Sequence, residues 1–339
     1  MKKNNKCTNC GSSLLFNPKS GMLECMHCDT KVPVKTTQVP NEKKDYTLDY
    51  KPTLALKKAT AYKCSTCGAQ HSLVDGETLT RCPSCGNTSI GQTLDVVYQP
   101  DGIIPFKVNR SQAGEIFRKW IKTRKFAPND LIEMAKMEKI SGFYSPVWNM
   151  NYNVQCRYNA TVTNVKVDDD GNETSYTTTV RNTLRSQHTD DVYSANKNVP
   201  DDFLKDLGDF DLDQLQRYSP EYMFGFSGTE SNRDIHDVYK SIEEEYSLKN
   251  ERLVRERLSS QYTRIDALDC RTVLNDVKFN YIYLPIWANH YTYKNKRYHC
   301  FINGSTGEVT GNSPKSFWKI FSIVATVVGA IAVAVLLLI

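Results

Sequence analysis

Short apolar and polar alternations open the chain. LLFNPKSGMLE (14–24) and SLVDGETLTR (72–81) each read as a strand, a Gly-containing turn and a second strand. GIIPFKV (102–108) predicts another short strand, after which Ser111 caps a helix carrying Ala113, Ile116, Phe117, Trp120 and Ile121 at helical spacing. The opposite face of that helix is basic, with Arg118, Lys119, Lys122, Arg124 and Lys125; its charges read as a solvated face, with lipid or nucleic acid as the other uses. Pro128 opens a second helical stretch, NDLIEMAKMEKI, so 111–140 is expected as a helical hairpin.

Tyr144-Ser-Pro146-Val-Trp148 recurs as Tyr283-Leu-Pro285-Ile-Trp287, an internal repeat. Both copies lead into alternating segments with turn signals, at DDDGN (168–172), KNK (294–296) and NGSTG (303–307), which predict β-hairpins in two related halves. Pro146 and Pro285 are expected at strand starts, where a missing N–H is tolerated. Between the halves, Phe203, Leu204, Leu207, Phe210 and Leu215 form one apolar set, and DIHDVYKSIEEEYSLKNERLVRERL forms a long helix. The twenty residues Ile320–Ile339 carry no charge and follow Lys315, Phe317, Trp318 and Lys319. At 1.5 Å per residue they would span about 30 Å, so they predict a single transmembrane anchor, with the preceding chain in the cytoplasm by the positive-inside rule.

The 339 residues, 24% charged and 40% hydrophobic, are a globular composition. Eight of the eleven cysteines fall in four Cys-x-x-Cys pairs: Cys7/Cys10 with Cys25/Cys28, and Cys64/Cys67 with Cys82/Cys85, fourteen residues separating the pairs in each unit. Two such turns offer four thiolates to one ion, closing a tetrahedral site with no open position, so two structural zinc ions are expected. His27 and His71 lie beside the ligands and read as outer-sphere or surface residues. Cys156, Cys270, Cys300, His290 and His299 are weighed as a third metal site and set aside, since isolated strand cysteines serve as small core residues. Charge is segmented, with thirteen basic against eight acidic residues in 1–100 and eight against fifteen in 201–260. No phosphate loop, dinucleotide fingerprint, G-x-S-x-G or H-E-x-x-H occurs, so no catalytic residues, small-molecule substrate or enzyme activity are inferred. Asp168, Asp170 and Asn172 are out of register for a calcium loop and read as a hairpin turn.

The succession of two ribbons, GIIPFKV with a basic helix, Y-S-P-V-W, then Y-L-P-I-W with FINGSTGEVTGNSPKS before the apolar run, resembles a bacterial double zinc-ribbon membrane family, TFIIB-type or PriA-like by label and of the YdjG type. The resemblance implies an adaptor role at the membrane, in envelope stress beside phage-shock-A-like and SPFH-type partners, and carries only the eight cysteines by residue. The resulting expectation is an α+β chain. It has ribbon 1 at 1–33, a linker at 34–60, ribbon 2 at 61–95, a β-rich body of two related halves with a helical insertion at 96–314, and the anchor at 315–339. Its expected function is a tail-anchored, cytoplasm-facing adaptor for protein partners at the cell membrane; the alternative is a membrane-tethered nucleic-acid binder acting through the basic front.

Overall fold

The computed structural model describes residues 6–35, 37, 41–50, 57–66, 70–73, 82–83, 90–97, 100–131, 136–137, 140–167, 169–229 and 231–338, with side chains at 57–61, 72–73, 90–97, 136–137, 323 and 332–338 outside the description. Strands β1 (Leu14–Asn17), β2 (Met22–Cys25) and β3 (Lys31–Pro33) form a small antiparallel sheet, closed over Leu14, Phe16 and Leu23. The tight turn between β1 and β2 needs the left-handed conformation of Gly21 (φ 69°).

The remaining strands make one 13-stranded sheet. In chain order they are β4 (Lys44–Asp45), β5 (Lys57–Cys64), β6 (Gln70–Leu73), β7 (Ile90–Val97), β8 (Gly102–Ile103), β9 (Lys136–Met137), β10 (Ser141–Val167), β11 (Glu173–Ser194), β12 (Gln216–Arg217), β13 (Ser227–Thr229), β14 (Arg264–Tyr293), β15 (Lys296–Asn303) and β16 (Val309–Gly311). The path across the sheet runs β12-β8-β14-β10-β13-β6-β5-β7. Among the described residues four α-helices accompany it: α1 (Arg110–Lys122), α2 (Asp201–Asp206), α3 (Ile235–Ser259) and α4 (Phe317–Leu338).

The expected α+β class is therefore corrected: the described residues are β-rich, and the helices lie on or beside one large sheet. Nor are the two related halves separate, because the repeat copies are neighbours in that sheet. Tyr144 pairs with Pro285 and Pro146 with Tyr283, an antiparallel arrangement that runs on from Ser141/Ala288 to Thr163/Arg264. Each copy recruits the same surroundings. A short strand pairs in parallel beside each tyrosine, β13 at Tyr144 and β8 at Tyr283. Each tryptophan donates its indole N–H to the end of the loop that follows such a strand, Trp148 to the Arg233 carbonyl (3.0 Å) and Trp287 to the Val108 carbonyl (2.8 Å). The next residues, Asp234 and Asn109, cap α3 and α1.

Both prolines sit inside long strands rather than at their starts. Pro146 falls between residues paired to β13 and residues paired to β11, and Pro285 between those paired to β8 and to β15. At these exchange points no neighbouring strand calls on the missing N–H. Their carbonyls are used, accepting from Ala195 N–H (3.1 Å) and Gly304 N–H (2.8 Å).

Near the repeats the strands are buried on both faces. One face carries Tyr144, Trp148, Tyr283, Trp287 and Tyr291 against α1 and α3; the other carries Phe143, Val147, Ile282, Leu284 and Ile286 against Leu204, Leu207 and Leu215. Farther out, β10 and β14 alternate, and one face packs Tyr158, Ala160 and Val162 beneath Val254 and Leu258 of α3. Residues 169–172 lie between β10 and its antiparallel partner β11, and Lys294 and Asn295, both at positive φ, form the two-residue turn from β14 to β15.

Three further expectations change. The second arm of the 111–140 helical hairpin does not reach Lys136–Met137, which pair as a strand with Tyr291–Thr292. The described part of the linker is stitched to the body: Lys44–Asp45 pair with β14, Tyr46 stacks on Tyr239, and Tyr50 packs edge-on to Phe279. The second cysteine unit shares the large sheet, because β6 pairs with β13 as well as β5.

The anchor expected over 315–339 is also corrected: among the described residues, no helix is long and apolar enough to cross a membrane. The start of α4 is held at the body, where Ser316 N–H donates to the Phe126 carbonyl (2.7 Å) and Lys319 Nζ to the Ala127 carbonyl (2.7 Å). The single transmembrane helix, the integral-membrane partner, the tail-anchored description and the single-pass cell-membrane location with a cytoplasmic body are withdrawn with it.

Candidate metal centre

Four sulfurs converge at the first cysteine unit. The Sγ atoms of Cys7, Cys10, Cys25 and Cys28 lie within 4.8 Å of one another, with Cys7 to Cys28 at 3.6 Å and Cys10 to Cys25 at 3.5 Å. A tetrahedron of sulfurs about 2.3 Å from a central ion has edges of about 3.8 Å, so this donor set fits a metal ion with little rearrangement. Cys7 and Cys25 are buried, Cys28 half-buried and Cys10 exposed.

Local sequence builds the two turns that hold these sulfurs. Gly11 N–H donates to the Cys7 carbonyl (2.9 Å) and Asp29 N–H to the Cys25 carbonyl (3.2 Å), each folding a Cys-x-x-Cys segment back on itself. The residue after the second cysteine must then take a left-handed conformation, and Gly11 (φ 73°) and Asp29 (φ 55°) do so. The Thr30 hydroxyl lies 3.0 Å from Cys28 Sγ. That hydroxyl, then the Thr30 amide, stabilises the Cys28 thiolate and brings its pKa down to about 6. The Cys10 amide likewise lowers Cys7. Cys10 is pushed the other way: against the lowering effect of the Ser12 amide, burial and the neighbouring thiols raise it to about 12. Without a cation the four sulfurs share protons unequally, as thiols crowded together must; a divalent ion removes that conflict.

The unit is fastened to the body. Phe16 N–H donates to the Phe224 carbonyl (2.9 Å), the Phe16 and Tyr222 rings meet edge-on at 5.1 Å, and Lys35 N–H donates to Glu221 Oε2 (3.2 Å). His27 is exposed and makes no part of the cluster, while Met26 beside it is 76% exposed at the tip of the knuckle. Thr30 and the 221–224 loop were not anticipated. A hydroxyl two residues beyond the last cysteine was the available signal for Thr30, whereas nothing in the sequence links residue 16 to residue 224.

Of the second cysteine set, Cys64 and Cys82 are buried, and Cys67 and Cys85 lie outside the described residues. His71, on β6, is buried with Nε2 3.4 Å from Cys82 Sγ, and burial lowers its pKa to about 3, so it is neutral in the fold. His290 Nε2 contacts the Pro83 carbonyl (3.0 Å), so this unit too packs on the body. The third group set aside above does not assemble: Cys156 lies beside Cys270 on the outer sheet, while Cys300 is buried opposite Asn289 on β15 and His299 contacts Asn312.

No protein-family model matches this chain, and no solved structure matches it. The chain is similar to the uncharacterized protein YdjG of Bacillus subtilis (strain 168), 24% identical over 318 residues that cover 93% of this chain and 91% of that protein.

Proposed function

We propose that this protein is an adaptor whose cysteine knuckles are structural zinc sites and whose exposed knuckle surface docks other proteins. Zinc is the metal that four thiolates at tetrahedral spacing select, and a four-sulfur site leaves no position for a substrate or an activated water. The same chemistry is assigned to Cys64, Cys67, Cys82 and Cys85, giving two ions per chain. The observation that carries this reading is the closed sulfur cluster fastened to the body with an exposed Met26 at its tip. A flexible thioether on a rigid turn is a surface that partners use.

The test is affinity purification of the full-length protein from its native cells, beside Met26→Asp and Cys25→Ser variants, with zinc measured by mass spectrometry. Two zinc ions per wild-type chain are expected, with a defined set of proteins lost from Met26→Asp while zinc stays unchanged. A chain without zinc, or a partner set indifferent to both variants, overturns the reading.

A further inference from the structure

The outer part of the large sheet has one bare face. Over residues 153–163, β10 is flanked by β11 and β14, and its even-numbered side chains pack beneath α3. Strand alternation sends the odd-numbered residues to the opposite face, where Arg157 and Asn159 are exposed. Three successive rows then read across the strands as Arg185, Gln155 and Val273; Thr183, Arg157 and Arg271; and Arg181, Asn159 and Asp269. With about 3.4 Å per residue and about 4.8 Å between strands, four arginine stems share a patch of about 14 by 10 Å.

All four arginines are exposed, and among the described residues none forms a salt bridge. Arg157 and Arg271 stand directly opposite one another, a like-charge pair that is unfavourable until an anion lies between them. Asp269 is the one carboxylate in these rows.

We infer that this face binds the phosphate backbone of a double-stranded nucleic acid. Arginines interspersed with Thr, Asn and Gln are the side chains that contact phosphate oxygens. The rows contain no aromatic ring, so the face lacks the stacking platform that single strands use. They also lack the large apolar anchor on which a docked acidic peptide depends, since Val273 is their largest apolar side chain. What remains is a flat cationic surface suited to successive phosphates of a duplex, without sequence preference. This stands apart from the knuckle-docking role, which uses other residues.

The experiment is a salt titration of full-length protein binding to a labelled duplex DNA, followed by fluorescence anisotropy. Each phosphate neutralised contributes about −0.9 to the slope of log affinity against log salt, so a slope of about −3.6 is expected when all four arginines engage. Single Arg157→Gln, Arg181→Gln, Arg185→Gln and Arg271→Gln variants should each flatten the slope by about 0.9, and Arg→Lys replacements should retain it. Unlabelled duplex should displace the label, and poly-glutamate should compete far less well. Absence of salt-dependent binding, Gln variants that bind as the wild type does, or poly-glutamate competing as well as duplex DNA overturns the inference. Loss of partner capture in Met26→Asp leaves this result untouched, so the two proposals fail separately.

Discussion

At the residue scale, the metal centre depends on proton competition. The Cys28 thiol titrates at about 6 in the fold against 9.0 for a free thiol. A depressed folded pKa means that the thiolate's contribution is complete above about 9 and is lost as pH falls through about 6. A bound cation holds the thiolates deprotonated to still lower pH, so bound metal should leave on acidification only below about pH 6, which a chromogenic zinc indicator would follow. Thr30→Val removes the hydroxyl that stabilises this thiolate, so its release midpoint should move to higher pH; an unchanged midpoint would show that Thr30 does not tune the site. His71 adds a separate acid sensitivity. It stays neutral to about pH 3 in the fold but takes a proton near 6.5 when unfolded, so stability should decline below about pH 6.5 by up to about 1.4 kcal/mol per pH unit. Urea unfolding across pH 4 to 7 measures that slope.

At the element scale, a few close approaches fix how the helices and the short parallel strands meet the long ones. An added Cβ at Gly142 would lie 2.6 Å from Phe226 Cδ1, in the layer where Phe226 stacks on Phe106. Gly142→Ala should cost about 1–3 kcal/mol by overpacking, measured by chemical denaturation. The α1 cap is reciprocal: Asn109 Oδ1 accepts from Gln112 N–H, and Gln112 Oε1 accepts from Asn109 N–H, both at 2.9 Å. Asn109→Ala should cost about 1 kcal/mol in the same assay. Serine 111 was expected to be this cap, two residues late, because Asn and Ser serve equally well and only the hydrogen bonds decide. The period-2 alternation of β10 and β14 was legible, but their 27- and 30-residue lengths and their pairing were not. Alternation reports which side of a strand is buried and leaves its neighbour unspecified.

At the scale of the whole molecule, the cysteine units and the connecting segment are parts of one packed object. Asn41 and Lys43, from the segment expected to be a linker, both donate to Asp190 Oδ1 on β11. Because the first knuckle is fastened through Phe16, Tyr222 and Phe224, stripping the metal should lower the melting temperature of the entire chain rather than melt the knuckle alone. Differential scanning calorimetry with and without chelator distinguishes a single shifted transition from a separate early one.

The cysteine spacing alone determined the candidate metal centre, since two Cys-x-x-Cys turns must present four thiolates wherever they are placed. Local alternation and turn residues likewise determined the β10–β11 and β14–β15 hairpins. Tertiary structure decided the rest: that the two Y-x-P-x-W copies pair with each other, that a Lys-, Thr- and Pro-rich segment is held by Tyr46 and Tyr50, and that the start of α4 is bound to the body. It also gathered Arg157, Arg181, Arg185 and Arg271, scattered over more than a hundred residues, onto one bare face. Such partners are distant in sequence, and their meeting depends on register and shared burial, which no local pattern encodes.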